Sequence, residues 1–203
     1  MPTTNLDDTS LQILDAARRR FQHYGYGKTT MSEIAKDCSM STGNLYRFFP
    51  SKLDLADMFV QVLRSDHVKQ LREIADRKDI SAPEQLRSLL QLKMRLAYER
   101  FHDNPKAYEL SMTLIAERPG IAVEWENAEA DVICDIIGRG NAEGSFNIAN
   151  PAKNARVIQD AAHKFTSPTI IHEGDVEELA SELDAVIDLL VDGYSWRAAN
   201  KPA

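Results

Sequence analysis

The sequence predicts an all-α protein, and three observations carry that prediction. Apolar residues recur with a 3.6-residue period along nearly every segment, no stretch of useful length alternates with a period of two, and several helix starts are spelled out by capping residues. With 203 residues, 43% of them hydrophobic, the chain exceeds one small domain and falls short of two large ones, so two linked helical units fit.

Taken in order, a first helix is expected from about Ser10 to Tyr24, with Leu11, Leu14, Ala17, Phe21 and Tyr24 on its packing face and Gly25 to Gly27 ending it. Thr30 and Glu33 form a capping box that opens a second, short helix whose apolar face is Met31, Ile34, Ala35 and Cys38. Ser39, Met40 and Ser41 interrupt the pattern. Ser41 or Thr42 then caps a third helix to about Phe49, with Leu45, Phe48 and Phe49 turned inward. Behind the Pro50-Ser51 stop, Ser51 and Asp54 start a long fourth helix carrying Ala56, Phe59, Val60, Leu63, Leu71 and Ile74 to about Arg77. At roughly 1.5 Å per residue it spans nearly 40 Å, enough to link two units.

Five more helices follow, at about 83–102, 105–117, 120–139, 151–164 and 175–198, which makes about nine. Ser81 with Glu84 is a second capping box, and Asn104-Pro105 and Asn150-Pro151 each place a cap before a first-turn proline. Gly140, Gly144 and Phe146 mark a loop between 139 and 150, and Ser167-Pro168 and Gly174 mark another between 165 and 174. There is no internal repeat and no low-complexity segment.

Helices two and three make a helix-turn-helix with an outward face of Thr42, Gly43, Asn44, Tyr46 and Arg47. Gly43 permits close backbone approach, and Thr42 and Asn44 have the reach and hydrogen-bonding groups for base edges in a major groove. Tyr46, Arg47 and Lys52 suit phosphate, as do free amides at the start of the helix. Thr30 and Ser41 complete the expected DNA-contacting set.

The ordered run F-x-x-Y-G-Y-x-x-T-T-M-S-E-I-A, followed by S-T-G-N-L-Y-R-F-F-P-S-K-L-D-L, resembles the DNA-binding domain of the TetR (AcrR-like) family of transcriptional regulators. The resemblance covers about a quarter of the chain, and its glycine, paired threonines, aromatic pair and Ser51-Lys52 are specific to that pattern. It implies a three-helix DNA-binding domain over residues 1–52 and a helical ligand-binding and dimerisation domain over 53–203. It also implies a homodimeric regulator, usually a repressor, that holds a palindromic operator and is released when a small-molecule effector binds. One position departs from the pattern. Ser39 stands where the family usually has a turn glycine; a left-handed backbone there costs Ser roughly 1 kcal/mol relative to Gly, so the turn is expected to be slightly reshaped without loss of the fold.

The charge distribution points the same way. The chain carries 24 basic and 31 acidic residues, net −7. Residues 16–52 nevertheless hold Arg18, Arg19, Arg20, Lys28, Lys36, Arg47 and Lys52 against only Glu33 and Asp37, net +5, leaving −12 for everything else. A cationic end on an acidic body orients a molecule toward a polyanion and limits non-specific sticking.

In the remainder of the chain, the last two helices carry broad apolar stripes. Val157, Ile158, Ala161 and Phe165 on one and Leu183, Val186, Ile187, Leu190 and Tyr194 on the other are the expected dimer contacts, which the resemblance places in a four-helix interface. The helix at 83–102 has two apolar stripes and should be covered on more than one side. Around it, Phe59, Leu63, His67, Met94, Tyr98, Phe101, Met112 and Trp125 are the candidates to line an effector site.

A different class of function is carried by Glu99/His102 and Asp160/His163, carboxylate–histidine pairs at i, i+3 of the kind a di-metal helical-bundle enzyme uses. That architecture also needs a Glu from each of two further helices and Glu in both motifs. End-of-helix histidines beside a C-terminal dipole explain both pairs without a metal. No phosphate-binding loop, dinucleotide fingerprint, nucleophile elbow or zinc-ligand spacing is present, so no catalytic residue, metal or cofactor is expected. Cys38 and Cys134 read as buried thiols. No run of eighteen apolar residues occurs and residues 1–10 are polar and acidic, so a soluble cytoplasmic protein without a membrane partner is expected.

Overall fold

The computed structural model of the protein describes residues 6–199, and every regular element among them is a helix. The nine expected helices are present: α1 (Asp8–Tyr24), α2 (Met31–Asp37), α3 (Thr42–Phe48), α4 (Lys52–Asp76), α5 (Ala82–Phe101), α6 (Pro105–Glu117), α7 (Gly120–Glu143), α8 (Pro151–Ala162) and α10 (Val176–Ala199). A 3-10 turn (His163–Thr166) and a six-residue α9 (Pro168–Glu173) occupy most of the stretch expected as the second loop. By contact the described chain forms two compact units, one of residues up to Asp66 with Asn104–Ile121, the other of His67–Asp103 with everything from Ala122 onward.

In the first unit, α1 begins two residues earlier than its pattern indicates because the Asp7 carboxylate accepts from the Ser10 amide at 2.7 Å and caps it. Its buried stripe is Ile13, Leu14, Ala16, Ala17 and Phe21, while Leu11 and Tyr24, expected on the packing face, are about half exposed. That stripe shares one core with Ile34 and Ala35 of α2, Leu45 of α3, Phe49, and Leu55, Ala56 and Phe59 of α4. Leu110 and Leu114 of α6 complete it. The boundary expected at residue 52 therefore falls inside this unit, whose core draws on the first turns of α4 and on α6.

Charged groups tie α6 to the same unit. Arg118 at its C-terminus pairs with Asp54 and Asp57 of α4, and the Ser51 hydroxyl and Arg118 hold the Asp54 carboxyl below the usual carboxylate range. At the other end of α6, the Glu109 carboxylate accepts from the Gly27 amide at 3.0 Å, and Lys106 donates to the His23 carbonyl.

In the second unit α5 packs against α9, α10 and the 3-10 turn, burying Leu86, Leu89, Leu90, Met94 and Phe101. The side-chain amide of Gln85, fully buried on α5, donates to the carbonyls of Ile74, Ala75 and Arg77 at 3.2, 2.8 and 2.7 Å. Those carbonyls lie at the end of α4, where the Arg77 amide also donates to the Ile74 carbonyl and the Arg139 guanidinium to the Arg77 carbonyl, so the buried amide helps to cap the helix. Further along, α7 runs through Gly140 to Glu143, past the end its glycine marks. A Cβ on Gly140 would meet the Phe146 ring at 2.1 Å, so here glycine makes room for the returning aromatic rather than breaking the helix.

Candidate nucleic-acid interface

The helix-turn-helix is built by local chemistry that can be followed bond by bond. Thr30 caps α2: its hydroxyl accepts from the Glu33 amide at 3.3 Å, and the Glu33 carboxylate accepts from the Thr30 amide at 2.9 Å. At the far end of α2, Ser39 donates to the Lys36 carbonyl at 3.0 Å and Met40 to the Ala35 carbonyl at 2.9 Å. This pair of bonds is a Schellman closure, which needs a left-handed residue between cap and continuation. Ser39 adopts it, with φ +55°. The turn therefore keeps the glycine-type geometry instead of being reshaped, and the serine carries the strain. Ser39→Gly is expected to stabilise the unit by about 0.5–1 kcal/mol, read as a higher urea midpoint with unchanged slope.

α3 is capped by Ser41, whose hydroxyl accepts from the Asn44 amide at 3.2 Å. Leu45 is completely buried and fixes which face of α3 points outward. Gly43 has open space around the position of a Cβ, Tyr46 is 48% exposed and Arg47 is exposed, while Thr42 and Asn44 are half-buried at the N-terminal end. Arg47 makes no ion pair or hydrogen bond among the described residues, and neither does the exposed Lys36 of α2.

The arginine run of α1 is differently employed. Arg18 and Arg19 both pair with Asp15, and Arg20 holds Asp37 at 2.6 and 3.0 Å and Glu33 at 3.2 Å, tying α1 to α2. The Arg20 guanidinium keeps the Asp37 carboxyl below its ordinary value. Lys52, expected to face phosphate, instead donates inward to the Tyr26 and Thr29 carbonyls at 2.8 and 3.0 Å.

The effector-site candidates divide between the two units. Phe59 and Leu63 pack in the first unit's core and Met112 lies on α6, partly exposed. Met94, Phe101 and Trp125 are buried in the second unit, where Arg100 donates to the His67 ring at 2.7 Å and Tyr98 stacks on His102 at 4.3 Å. Of the expected dimer contacts, Ile158, Phe165, Leu183, Ile187 and Tyr194 are buried within the protomer, whereas Val157 and Ala161 are exposed and Val186 and Leu190 half-exposed. The Glu99/His102 and Asp160/His163 pairs do not assemble, since among the described residues no group of three or more His, Cys, Asp or Glu is placed to hold a metal ion. His102 caps α5 with its ring against Tyr98, and Asp160 and His163 are exposed. Both cysteines are free, and no described helix is long and apolar enough to cross a membrane.

A helical unit in which α2 and α3 make a helix-turn-helix with a solvent-facing α3, in a chain that also folds a second all-helical unit, defines a helix-turn-helix protein. Residues 13–58 match the model of the bacterial regulatory proteins of the tetR family, and residues 82–187 match the tetracyclin repressor-like C-terminal domain. The chain belongs to the TetR family. It is 31% identical over 74 residues to the transcriptional regulator TtgR of Pseudomonas putida, covering 36% of this chain and 35% of that one. It is 35% identical over 69 residues to the uncharacterised regulator YhgD of Bacillus subtilis, covering 34% of each. The chain thus matches about a third of the length of these curated relatives.

Among solved structures, a transcriptional regulator from Cytophaga hutchinsonii superposes with a TM-score of 0.73 at 23% identity, covering 93% of this chain and 100% of that one. FadR from Bacillus subtilis in complex with stearoyl-CoA superposes at 0.64 and 18% identity, covering 90% and 98%. Likenesses at these identities establish the fold.

Proposed function

We propose that this protein is a transcriptional regulator that binds a palindromic operator as a homodimer in the cytoplasm and represses until a small-molecule effector releases it. The observation that carries the reading is the outward face of α3. Leu45 locks the helix down, and Thr42, Gly43, Asn44, Tyr46 and Arg47 are left with no structural task except the half-buried start of the helix. Family membership supports the same reading.

The residues divide by role. Thr42 and Asn44 read base edges while Tyr46 and Arg47 grip phosphate. Thr30 and Ser41 hold the two helix starts in register, beside the backbone. Dimerisation runs through the α8 and α10 side chains that the protomer leaves uncovered: Val157, Ala161, Val186, Leu189 and Leu190. The effector is held in the second unit around α5, with His67, Met94, Tyr98, Phe101 and Trp125 as its candidate contacts.

Selection of bound fragments from genomic DNA tests the reading and yields the operator. With that operator, Thr42→Ala is expected to change the ranking of base-substituted sites by about 1–3 kcal/mol per lost contact. Tyr46→Phe is expected to weaken all sites alike. An unchanged ranking with Thr42→Ala removes that residue from base reading.

A further inference from the structure

α5 is enclosed on several sides, and its polar bonds tell them apart. The Gln85 amide meets the end of α4, Lys93 holds Glu129 of α7 at 2.6 Å, Gln91 donates to Asp184 of α10 at 2.8 Å, and Arg87 pairs with Asp188 of the same helix. Between the α7 side and the α10 side runs a stripe of Leu90, Met94 and Phe101, spaced to share one helix face and all buried. The 3-10 turn and α9 pack on α5 and on each other. Together they make a strap, residues 163–174, that joins α8 to α10.

The strap is fastened differently from the helices around it. α1, α2, α3, α5, α6, α8 and α10 each begin on a side chain that accepts from a first-turn amide, whereas neither the 3-10 turn nor α9 has such a cap. α9 has six residues and the 3-10 turn four, lengths that do not hold a helix in water by themselves. Their backbone bonds are local: the Ser167 amide donates to the His163 carbonyl at 3.0 Å, and the Ser167 carbonyl accepts from Ile170 and Ile171 at 3.1 and 3.0 Å. What holds the strap down is Phe165, 3% exposed, Ile171, fully buried, and the exposed Lys164–Glu182 ion pair. A segment ordered by so few buried groups opens at lower cost than the helices that carry it.

We propose that this strap is a lid over Leu90, Met94 and Phe101, opening while the rest of the second unit stays folded and admitting a small apolar effector to that stripe. This rests on the effector-site reading above, and it narrows the site to one face of α5 and its ligand to an apolar group.

Opening is read by the reaction of a cysteine on α5 with an aromatic disulfide that releases a coloured thiolate, counted above the native Cys38 and Cys134. Met94→Cys lies on the stripe, and Leu89→Cys, fully buried on the Gln85 side of α5, is the control. Met94→Cys is expected to label with little dependence on urea, as a local opening does, and Leu89→Cys with the steep dependence of global unfolding. Adding Ile171→Ala, which removes the lid's anchor, is expected to speed Met94→Cys labelling about tenfold or more with its urea dependence still shallow. A steep dependence for Met94→Cys, an equally shallow one for Leu89→Cys, or labelling unchanged by Ile171→Ala overturns the proposal. Should Ile171→Ala fail to fold, the two urea dependences decide alone. Labelled Met94→Cys carries the aromatic group in the effector's place and is expected to lose affinity for the selected operator. Unchanged operator affinity overturns the effector-site reading instead, with the opening of the lid still measured.

Discussion

Leu45→Ala is expected to destabilise the first unit by about 2–5 kcal/mol and to abolish DNA binding although no DNA-facing group is altered. Leu45 is fully buried at the centre of α3, in one core with Ile13 and Phe21 of α1, Ile34 of α2 and Leu55 of α4. Truncation removes the transfer free energy of its methyl groups and leaves a cavity among side chains arriving from several helices, where collapse is limited. α3 itself is only seven residues long. Isolated helices of that length are unstable in water, so α3 exists only as long as its buried face is occupied. Urea unfolding with a probe in the first unit, run beside a duplex-binding assay, checks both halves. Retained stability would mean that something other than this side chain docks the helix.

Leu189→Glu is the second large effect, and it acts on assembly alone. Leu189 on α10 is 77% exposed in the protomer, with Val157 of α8 46% exposed in the same unit. A glutamate there leaves the protomer core intact because Leu189 contributes almost nothing to it. In a two-fold interface it buries an unpaired carboxylate from each subunit, at about 3–5 kcal/mol for each charge left without a partner. Sedimentation is expected to show a monomer of unchanged Tm, with operator affinity reduced because two half-sites are no longer bound together. A variant that stays dimeric would place the interface elsewhere.

Apart from the Asp7 cap of α1, helix starts were legible where they depend on chemistry within four residues. The Thr30/Glu33 and Ser81/Glu84 boxes and the Asn-Pro starts at 104 and 150 fall where their residues put them. What was not legible depends on partners distant in sequence. The α1 arginines read as a basic patch, but Asp15, Glu33 and Asp37 neutralise them. Lys52 read as a phosphate contact, but its ammonium donates hydrogen bonds to carbonyls 26 and 23 residues away. Gly140 read as a helix end, and the aromatic that explains it lies six residues on, across a turn. The short α9 follows Ser167-Pro168, a pair that marks a loop and a helix start equally well. The apolar stripes of α8 and α10 gave the right helices without separating the residues that close the protomer from those left outside, because periodicity carries no depth.

The account depends on α3 being displayed so that a two-fold pair enters successive major grooves. Hydroxyl-radical footprinting on a fragment selected from genomic DNA tests this most directly. The expected pattern is two symmetry-related protected patches with centres one helical turn, about 10 base pairs, or a multiple of it apart, and the protection of both lost together in Leu189→Glu. A single asymmetric patch that survives Leu189→Glu, or no protection at low ionic strength, would contradict it.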